Sequence, residues 1–257
     1  MNRTAIISDI HANLEAFEAV LADIEAQSIG DIVCLGDVVG YGPNPCECID
    51  LVEKRCSVVI RGNHDDAAIH GPLGFNRLAH DAISWTQKVL RPKLLRPGTR
   101  QRWNFLDNLP RSLEWNGFLL VHGSPRDPTS EYIMDRDVML GNETMFEEIF
   151  EAFERVCFVG HTHMPGVFRE SLPRTTWMPQ AEIEGSFRHE GTKMVVNVGS
   201  VGQPRDRDPR SCYLTADPGS KTFEFRRVPY DVDTTQAKIR RISQLDNGLA
   251  DRLTLGV

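Results

Sequence analysis

Two imidazoles one residue apart, His161 and His163 in the tetrapeptide Gly160, His161, Thr162, His163, follow directly on the apolar run Val156 to Val159. In extended backbone, side chains at i and i+2 point the same way, so this pair could converge on one small volume and offer nitrogen to a metal ion. Taken alone, such a pair reads as a polar loop with two surface histidines. Four other places repeat the arrangement. Thr4 to Ile7 runs into Ser8, Asp9, Ile10 and His11, and Ile32 to Leu35 runs into Gly36 and Asp37. Ser57 to Ile60 runs into Arg61, Gly62, Asn63, His64 and Asp65, and Phe118 to Val121 into His122. Asp, Asn and Gly are routine turn formers at any one strand end. Five apolar runs that all deliver potential ligands are harder to assign to turns, because they carry five of the eight histidines in the chain. His70, His80 and His189 are left over and read as surface or packing residues.

Asp9, Asp37 and Asn63 together with four or five imidazoles exceed what one closed metal site needs. Two adjacent ions use them better, since one carboxylate can bridge a pair of metals roughly 3.5 to 4 Å apart that share a hydroxide. A mixed nitrogen and oxygen donor set without thiolate suits Mn, Fe, Co, Ni or Zn and does not favour Ca or Mg.

These groups meet only if the chain brings its strand ends together. Thr4 to Ile7 is followed by Leu14, Phe17, Val20, Leu21 and Ile24, one face of an amphipathic helix, and Ile32 to Leu35 is followed by a helix around Ile49 to Val52. Strands alternating with helices imply a mostly parallel sheet covered by helices, whose ligands bind at the carboxyl ends of the strands. The stretch from about 65 to 109 reads as a helical insertion or cap, broken at Gly71, Pro72 and Gly74 and again near Pro97 and Gly98. A helix is expected around Asn142 to Phe153. The last third changes to short strands without intervening helices, Gly166 to Arg169, Met194 to Val198, Cys212 to Thr215 and Thr222 to Phe225, which suggests a second, antiparallel sheet. Asp231 or Asp233 would cap a final helix carrying Ala237, Ile239, Ile242 and Leu245. At 257 residues the whole chain is expected to form a single domain.

The net charge of −7 gives no basic footprint for duplex nucleic acid or for an anionic membrane, so an anionic substrate needs local positive charge from metal or clustered arginine. No run of eighteen apolar residues occurs, and the first apolar run stops at Asp9, too short for a signal-peptide core. The six cysteines form no C-x-x-C pair and sit mostly in apolar runs; Cys46 and Cys48 at a helix start would face different directions. A cytoplasmic protein with reduced thiols is the expectation. There is no G-x-S-x-G elbow, H-E-x-x-H or Walker A motif to support another hydrolase route.

The order Asp9-x-His11, Gly36-Asp37, Gly62-Asn63-His64-Asp65, a strand-ending His122 and Gly160-His161-Thr162-His163 resembles the calcineurin-like metallophosphoesterase superfamily. The stretches GDVVGYGPNP, VHGSPRDP and NVGSVGQPR are most similar to its small prokaryotic phosphodiesterase branch. The resemblance implies an α/β fold of four layers, an α-β-β-α sandwich with two mixed sheets. It implies one metal held by Asp9, His11, Asp37 and His163, and another by Asp37, Asn63, His122 and His161, with Asp37 bridging. It further implies two divalent transition-metal ions, Mn foremost with Fe, Zn, Ni or Co as alternatives. The activity it implies is hydrolysis of a phosphate ester, a phosphodiester or nucleotide, by in-line attack of a metal-bridging hydroxide, with His64 as the catalytic group that protonates the leaving oxygen.

The serine/threonine protein phosphatases of that superfamily carry GD-x-x-DRG, whereas Gly40 and Tyr41 stand here in place of the second Asp and the Arg. Protein phosphatase activity is therefore disfavoured, and Asp65 is a candidate to orient His64 by proximity alone. Arg126 follows the His122 strand end, and Arg205 and Arg207 follow the turn from Asn197 to Gly202, so each could grip a phosphate bidentately, although a solvated loop would look the same. Arg61 is expected to brace the Gly62 to Asp65 loop. A phosphate-ester small molecule or nucleotide is the expected partner. Two rival readings are a catalytically silent metal-binding scaffold of the same fold and a nuclease acting on short single strands.

Overall fold

The computed structural model describes residues 3–93, 98–171, 173–217, 219 and 221–257; Pro97, one of the helix breaks expected from the sequence, lies outside them. The first half of the chain alternates as expected. It runs β1 (Thr4–Ile7), α1 (Leu14–Ala26), β2 (Asp31–Cys34), α2 (Pro45–Arg55), β3 (Val58–Val59), α3 (Asn63–His70), α4 (Arg77–Leu90) and α5 (Thr99–Asp107). β4 (Ser112–Trp115), β5 (Phe118–Val121), α6 (Asp135–Met139), α7 (Glu143–Glu151) and β6 (Val156–Val159) follow. The strand-rich remainder holds β7 (Gly166–Arg169), β8 (Thr176–Pro179), β9 (Ser186–Arg188), β10 (Met194–Asn197), β11 (Ser211–Asp217) and β12 (Thr222–Val228), and the chain closes with α8 (Val232–Arg240) and α9 (Gly248–Leu255).

The strands form two six-stranded sheets, in the orders β3-β2-β1-β11-β12-β9 and β4-β5-β6-β10-β7-β8. Both are mixed. β1, β2 and β3 are parallel to one another, while β11 pairs antiparallel with β1, and β5, β6 and β10 are parallel while β7 pairs antiparallel with β10. The expectation that the last third builds a separate antiparallel sheet is thus corrected. Its strands divide between the two sheets, because each sheet begun by the βα units still has an open edge to fill.

Alternation within the strands produces the layers. Ile6 on β1, Val33 on β2, Val156 and Phe158 on β6 and Leu214 on β11 point into an apolar layer between the sheets. Their neighbours Ala5 and Ile7 turn outward to Phe17, Val20 and Ile24 of α1 and to Ile49 and Val52 of α2. On the far side, Cys157 and Val159 of β6 meet Phe146, Ile149 and Phe150 of α7. The result is helix, sheet, sheet, helix, with the inner strands β1, β6 and β10 buried on both faces and therefore mostly apolar. Asn13 starts α1 by accepting from the Ala16 N–H at 3.2 Å, which turns the chain from the β1 end into its helix.

The helices of 65–109 lie in the outer layer. Leu90, Leu106 and Leu109 join the core around α1 and α2, and Ala79, Ala82 and Ile83 of α4 pack with Ile239, Leu249 and Leu253 of α8 and α9. The start of α3 lies at the strand ends, and the loop between α3 and α4 reaches it through Phe75, whose ring meets His64. Asp231 caps α8 by accepting from Thr234 N–H, but that helix ends at Arg240, short of Ile242 and Leu245. Among the described residues no helix is long and apolar enough to cross a membrane, and none of the cysteines is in a disulfide.

Candidate metal centre

The parallel strands β1, β2 and β3 of one sheet and β5 and β6 of the other deliver their carboxyl ends to the same place. Hydrogen bonds run between the sheets there: His122 Nδ1 lies 2.9 Å from the Leu35 carbonyl, and the His161 N–H donates to Asp9 Oδ2 at 3.1 Å. Within the first sheet, Asp9 N–H donates to the Gly36 carbonyl at 3.0 Å and His11 N–H to the Asp37 carbonyl at 2.9 Å. Such crossings need bare backbone. A Cβ on Gly62 would sit 2.0 Å from Asp37 Oδ1, and one on Gly160 would sit 2.1 Å from Ser8 Oγ.

Asp9, His11, Asp37, His161 and His163 all adopt left-handed backbone, with φ between 49° and 65°. For residues with a Cβ this costs roughly 1 kcal/mol or more each, so the surrounding hydrogen bonds must hold them. It also corrects the geometry expected of the histidine pair. His161 and His163 do not lie on extended backbone with parallel side chains; they occupy a tight turn closed by a Thr162 N–H to Gly160 carbonyl bond of 2.7 Å, and they serve different groups of ligands. Asn197 braces this turn, its Nδ2 donating to the Gly160 carbonyl at 2.6 Å and to Thr162 Oγ1 at 2.8 Å.

Three sets of ligand atoms fall within 4.8 Å of one another: Asp9 with His11 and His163, His11 with Asp37 and His64, and Asp37 with His122 and His161. Asp37 joins them, since its Oδ2 lies 3.6 Å from His11 Nε2 and 3.3 Å from His122 Nε2. Asn63 Oδ1 stands 3.1 Å from the same His122 Nε2. All seven residues named as ligands are therefore brought together, and His64 is packed beside them.

The imidazoles are oriented by backbone carbonyls. His11 Nδ1 is 3.2 Å from the Val39 carbonyl, His122 Nδ1 2.9 Å from that of Leu35 and His163 Nδ1 2.6 Å from that of Gln203, so in each neutral ring Nδ1 carries the proton and Nε2 exposes its lone pair. His161 is reversed, its Nε2 lying 3.1 Å from the Ser130 carbonyl and leaving Nδ1 as donor atom. His11 Nε2 and His163 Nε2 consequently face each other across 3.0 Å, beside Asp9 Oδ1, which is buried and accepts no hydrogen bond. Lone pairs and a carboxylate oxygen pointed at one another require a cation, and the residues present fit divalent metal.

Electrostatics agree. Burial would raise both carboxyls, but His163 and His122 hold Asp9 well below the usual range, and His122 and His64 do the same for Asp37. Burial lowers His161 to about 4 and His163 to about 3, and holds His64 well below its ordinary value, so these rings are neutral and available as ligands. For His122 burial also acts downward, yet Asp37 and Asp9 outweigh it and lift the ring to about 9: where a cation is wanted, a proton is gripped.

His64 heads α3. Its backbone N–H donates to Asp37 Oδ1 at 2.8 Å, and its ring packs against Tyr41 at 4.5 Å, His11 at 4.8 Å and Phe75 at 5.1 Å between centroids. Its Nδ1 is buried without a partner. Asp65 does not orient it. That carboxyl instead accepts from Gly62 N–H at 3.1 Å and Val39 N–H at 3.2 Å, tying the ligand loops together, while burial and then Asp37 raise it to about 7. Arg61 braces the same loop through Asp66 at 2.9 Å.

The two arginines assigned to substrate differ. Arg126 is engaged by Glu131 at 3.0 Å and Glu148 at 2.7 Å. Arg205 lies over the Tyr41 ring at 5.8 Å, its backbone N–H donates to the His163 carbonyl at 3.3 Å, and its Nε is buried without a partner. Arg207 N–H bonds the Gly256 carbonyl. Sequence reasoning did not reach Phe75, Tyr132 or Asn197 as neighbours of the site, nor the four orienting carbonyls; a carbonyl has no signature in residue type.

A fold of this kind with this centre belongs to the calcineurin-like phosphoesterase superfamily, whose domain model matches residues 3–220. The chain is 36% identical over 263 residues to the uncharacterized protein MJ0912 of Methanocaldococcus jannaschii, covering 98% of this chain and 97% of the other. It is similar to a metallophosphoesterase from Sphaerobacter thermophilus, with 38% identity, a TM-score of 0.81 and 100% and 99% of the two chains covered. It shares its fold with the hypothetical protein PH1004 from Pyrococcus horikoshii at 22% identity and a TM-score of 0.75, covering 100% and 99% of the respective chains.

Proposed function

We propose that this chain hydrolyses a phosphate ester, a phosphodiester or nucleotide, at a two-cation centre. The reading rests above all on Asp37, whose single oxygen Oδ2 is within 3.6 Å of His11 Nε2 on one side and 3.3 Å of His122 Nε2 on the other, the position a bridging carboxylate takes. Asp9, His11, Asp37 and His163 would hold one ion, and Asp37, Asn63, His122 and His161 the other. When bound, such a pair supplies Lewis acidity toward the phosphate oxygens and toward the attacking water, and Mn, Fe, Zn, Ni and Co all suit the donors.

The remaining work falls to side chains. Arg205, whose Nη2 donates to Gln203 Oε1 at 2.9 Å and whose Nε has no partner, would be the guanidinium that meets a phosphate oxygen; Arg126 already has two carboxylates. His64 is neutral before substrate arrives because burial disfavours its cation. A phosphate anion beside it favours the protonated ring, so the proton destined for the leaving oxygen is taken up with the substrate. The test is direct. Protein reconstituted with Mn²⁺ should carry close to two metal equivalents per chain and turn over bis-p-nitrophenyl phosphate, and Asp37→Asn should lose activity by more than about a hundredfold. Full activity in that variant removes the bridging role, metal binding without turnover returns the chain to a silent metal-binding scaffold, and absence of both metal and turnover overturns the reading.

A further inference from the structure

Beside the centre opens a cleft of about 690 Å³, to which Asn63, His64 and His161 contribute. Its other walls are of different chemistry. Tyr132 is 48% exposed, and its ring lies on His161 with centroids 3.9 Å apart and planes 31° from parallel. Phe75, from the loop between α3 and α4, meets His64 edge-on. Leu73 in the same loop is 97% exposed at the cleft, an apolar side chain with no packing partner of its own to explain it. Charge is scarce: no lysine or arginine occurs among the described residues lining the cleft, the carboxylate of Asp66 is taken by Arg61 at 2.9 Å and Arg111 at 3.2 Å, and His70 faces carboxylates of its own, Asp66 at 3.9 Å and Asp107 at 3.8 Å.

The two kinds of ester group that a phosphoesterase centre could face are separated by this lining. A chain of further phosphates needs cationic side chains along its length, and here it would meet tyrosine, phenylalanine and a carboxylate. A flat ring gains by stacking on exposed aromatic faces, an effect worth roughly tenfold or more in affinity per ring. We propose that the cleft receives the ester group of the substrate and selects for a flat, uncharged ring on it, an aryl group or a nucleobase, with Phe75 and Tyr132 as the specificity-determining residues. The proposal rests on the phosphate-ester reading and narrows it to ring-bearing esters with one phosphate at the centre, against polyphosphate chains.

Calorimetric binding of phenylphosphonate and methylphosphonate to the Mn²⁺-loaded protein separates this proposal from the activity itself. Phenylphosphonate should bind about tenfold more tightly. The preference should collapse toward unity in the double variant Phe75→Ala with Tyr132→Ala, compared at matched metal content, and persist in Tyr132→Phe, which keeps the ring. A nucleoside 5′-phosphonate that binds more tightly than phenylphosphonate assigns the cleft to a nucleobase, and the reverse order assigns it to an aryl group. In turnover, a dinucleoside monophosphate should have the higher kcat/KM over a dinucleoside tetraphosphate. Equal binding of the two phosphonates, a preference that survives the double variant, or faster processing of the tetraphosphate overturns the proposal. If no ester is turned over while the phosphonate preference holds, the catalytic reading fails and the ring-binding cleft stands.

Discussion

A buried histidine whose Nδ1 has no hydrogen-bond partner takes its protonation state from whatever binds beside it, and His64 is such a residue. If its proton goes to the leaving oxygen, His64→Ala should cost far more on an alkyl ester than on a nitrophenyl ester, whose leaving group needs no proton, and the excess should be about 10²-fold or greater. Measured kcat for two such diesters decides it, and equal losses would assign the ring to positioning. At this scale the sequence placed Asp9, His11, Asp37, Asn63, His122, His161 and His163 at strand ends, and the structure gathers all seven at one place. It misjudged how they converge. The rule that i and i+2 share a face holds for extended backbone, whereas His161 and His163 have φ of 65° and 61° and diverge to different groups of candidate ligands. Arg126 and Arg205 were equivalent in sequence; only the positions of Glu131 and Glu148 separate them, and those contacts depend on the fold.

Between elements, the loop after β2 sets the shape of the pocket around His64. Gly40 has φ of 98°, and a Cβ there would lie 2.3 Å from His64 Nδ1. Gly40→Ala should therefore displace the ring and lower kcat at least about tenfold while metal content, read by elemental analysis, stays near that of the parent, since Gly40 bears no ligand. Loss of metal along with activity would mean that the loop supports the centre as a whole. Most elements were legible: apolar runs for β1, β2, β5 and β6, and the i, i+3, i+4 spacing for α1. Sheet membership was not. β7, β10, β11 and β12 each read only as a short strand, yet β7 and β10 extend one sheet and β11 and β12 the other. A strand's partner is chosen by which edge lies open when it arrives, and that is information about the rest of the chain.

In the molecule as a whole, the centre is where the two sheets are joined at one end. β1, β2 and β3 supply Asp9, His11, Asp37 and Asn63, and β5 and β6 supply His122, His161 and His163. A cation bound only by the folded arrangement stabilises it by about 2.7 kcal/mol at a hundredfold excess over its Kd. For a domain of this size that is on the order of 5–10 °C in Tm. Chelation followed by calorimetry should show a drop of that order, restored by Mn²⁺; an unchanged Tm would mean that the sheets are held by their apolar layer alone. The short turn from Gly160 to His163 feeds both halves of the centre, one imidazole to each. If two cations bind as proposed, any shift of that turn is felt by both at once and their affinities are geared together: a substitution there would not retune one ion's grip and spare its neighbour's.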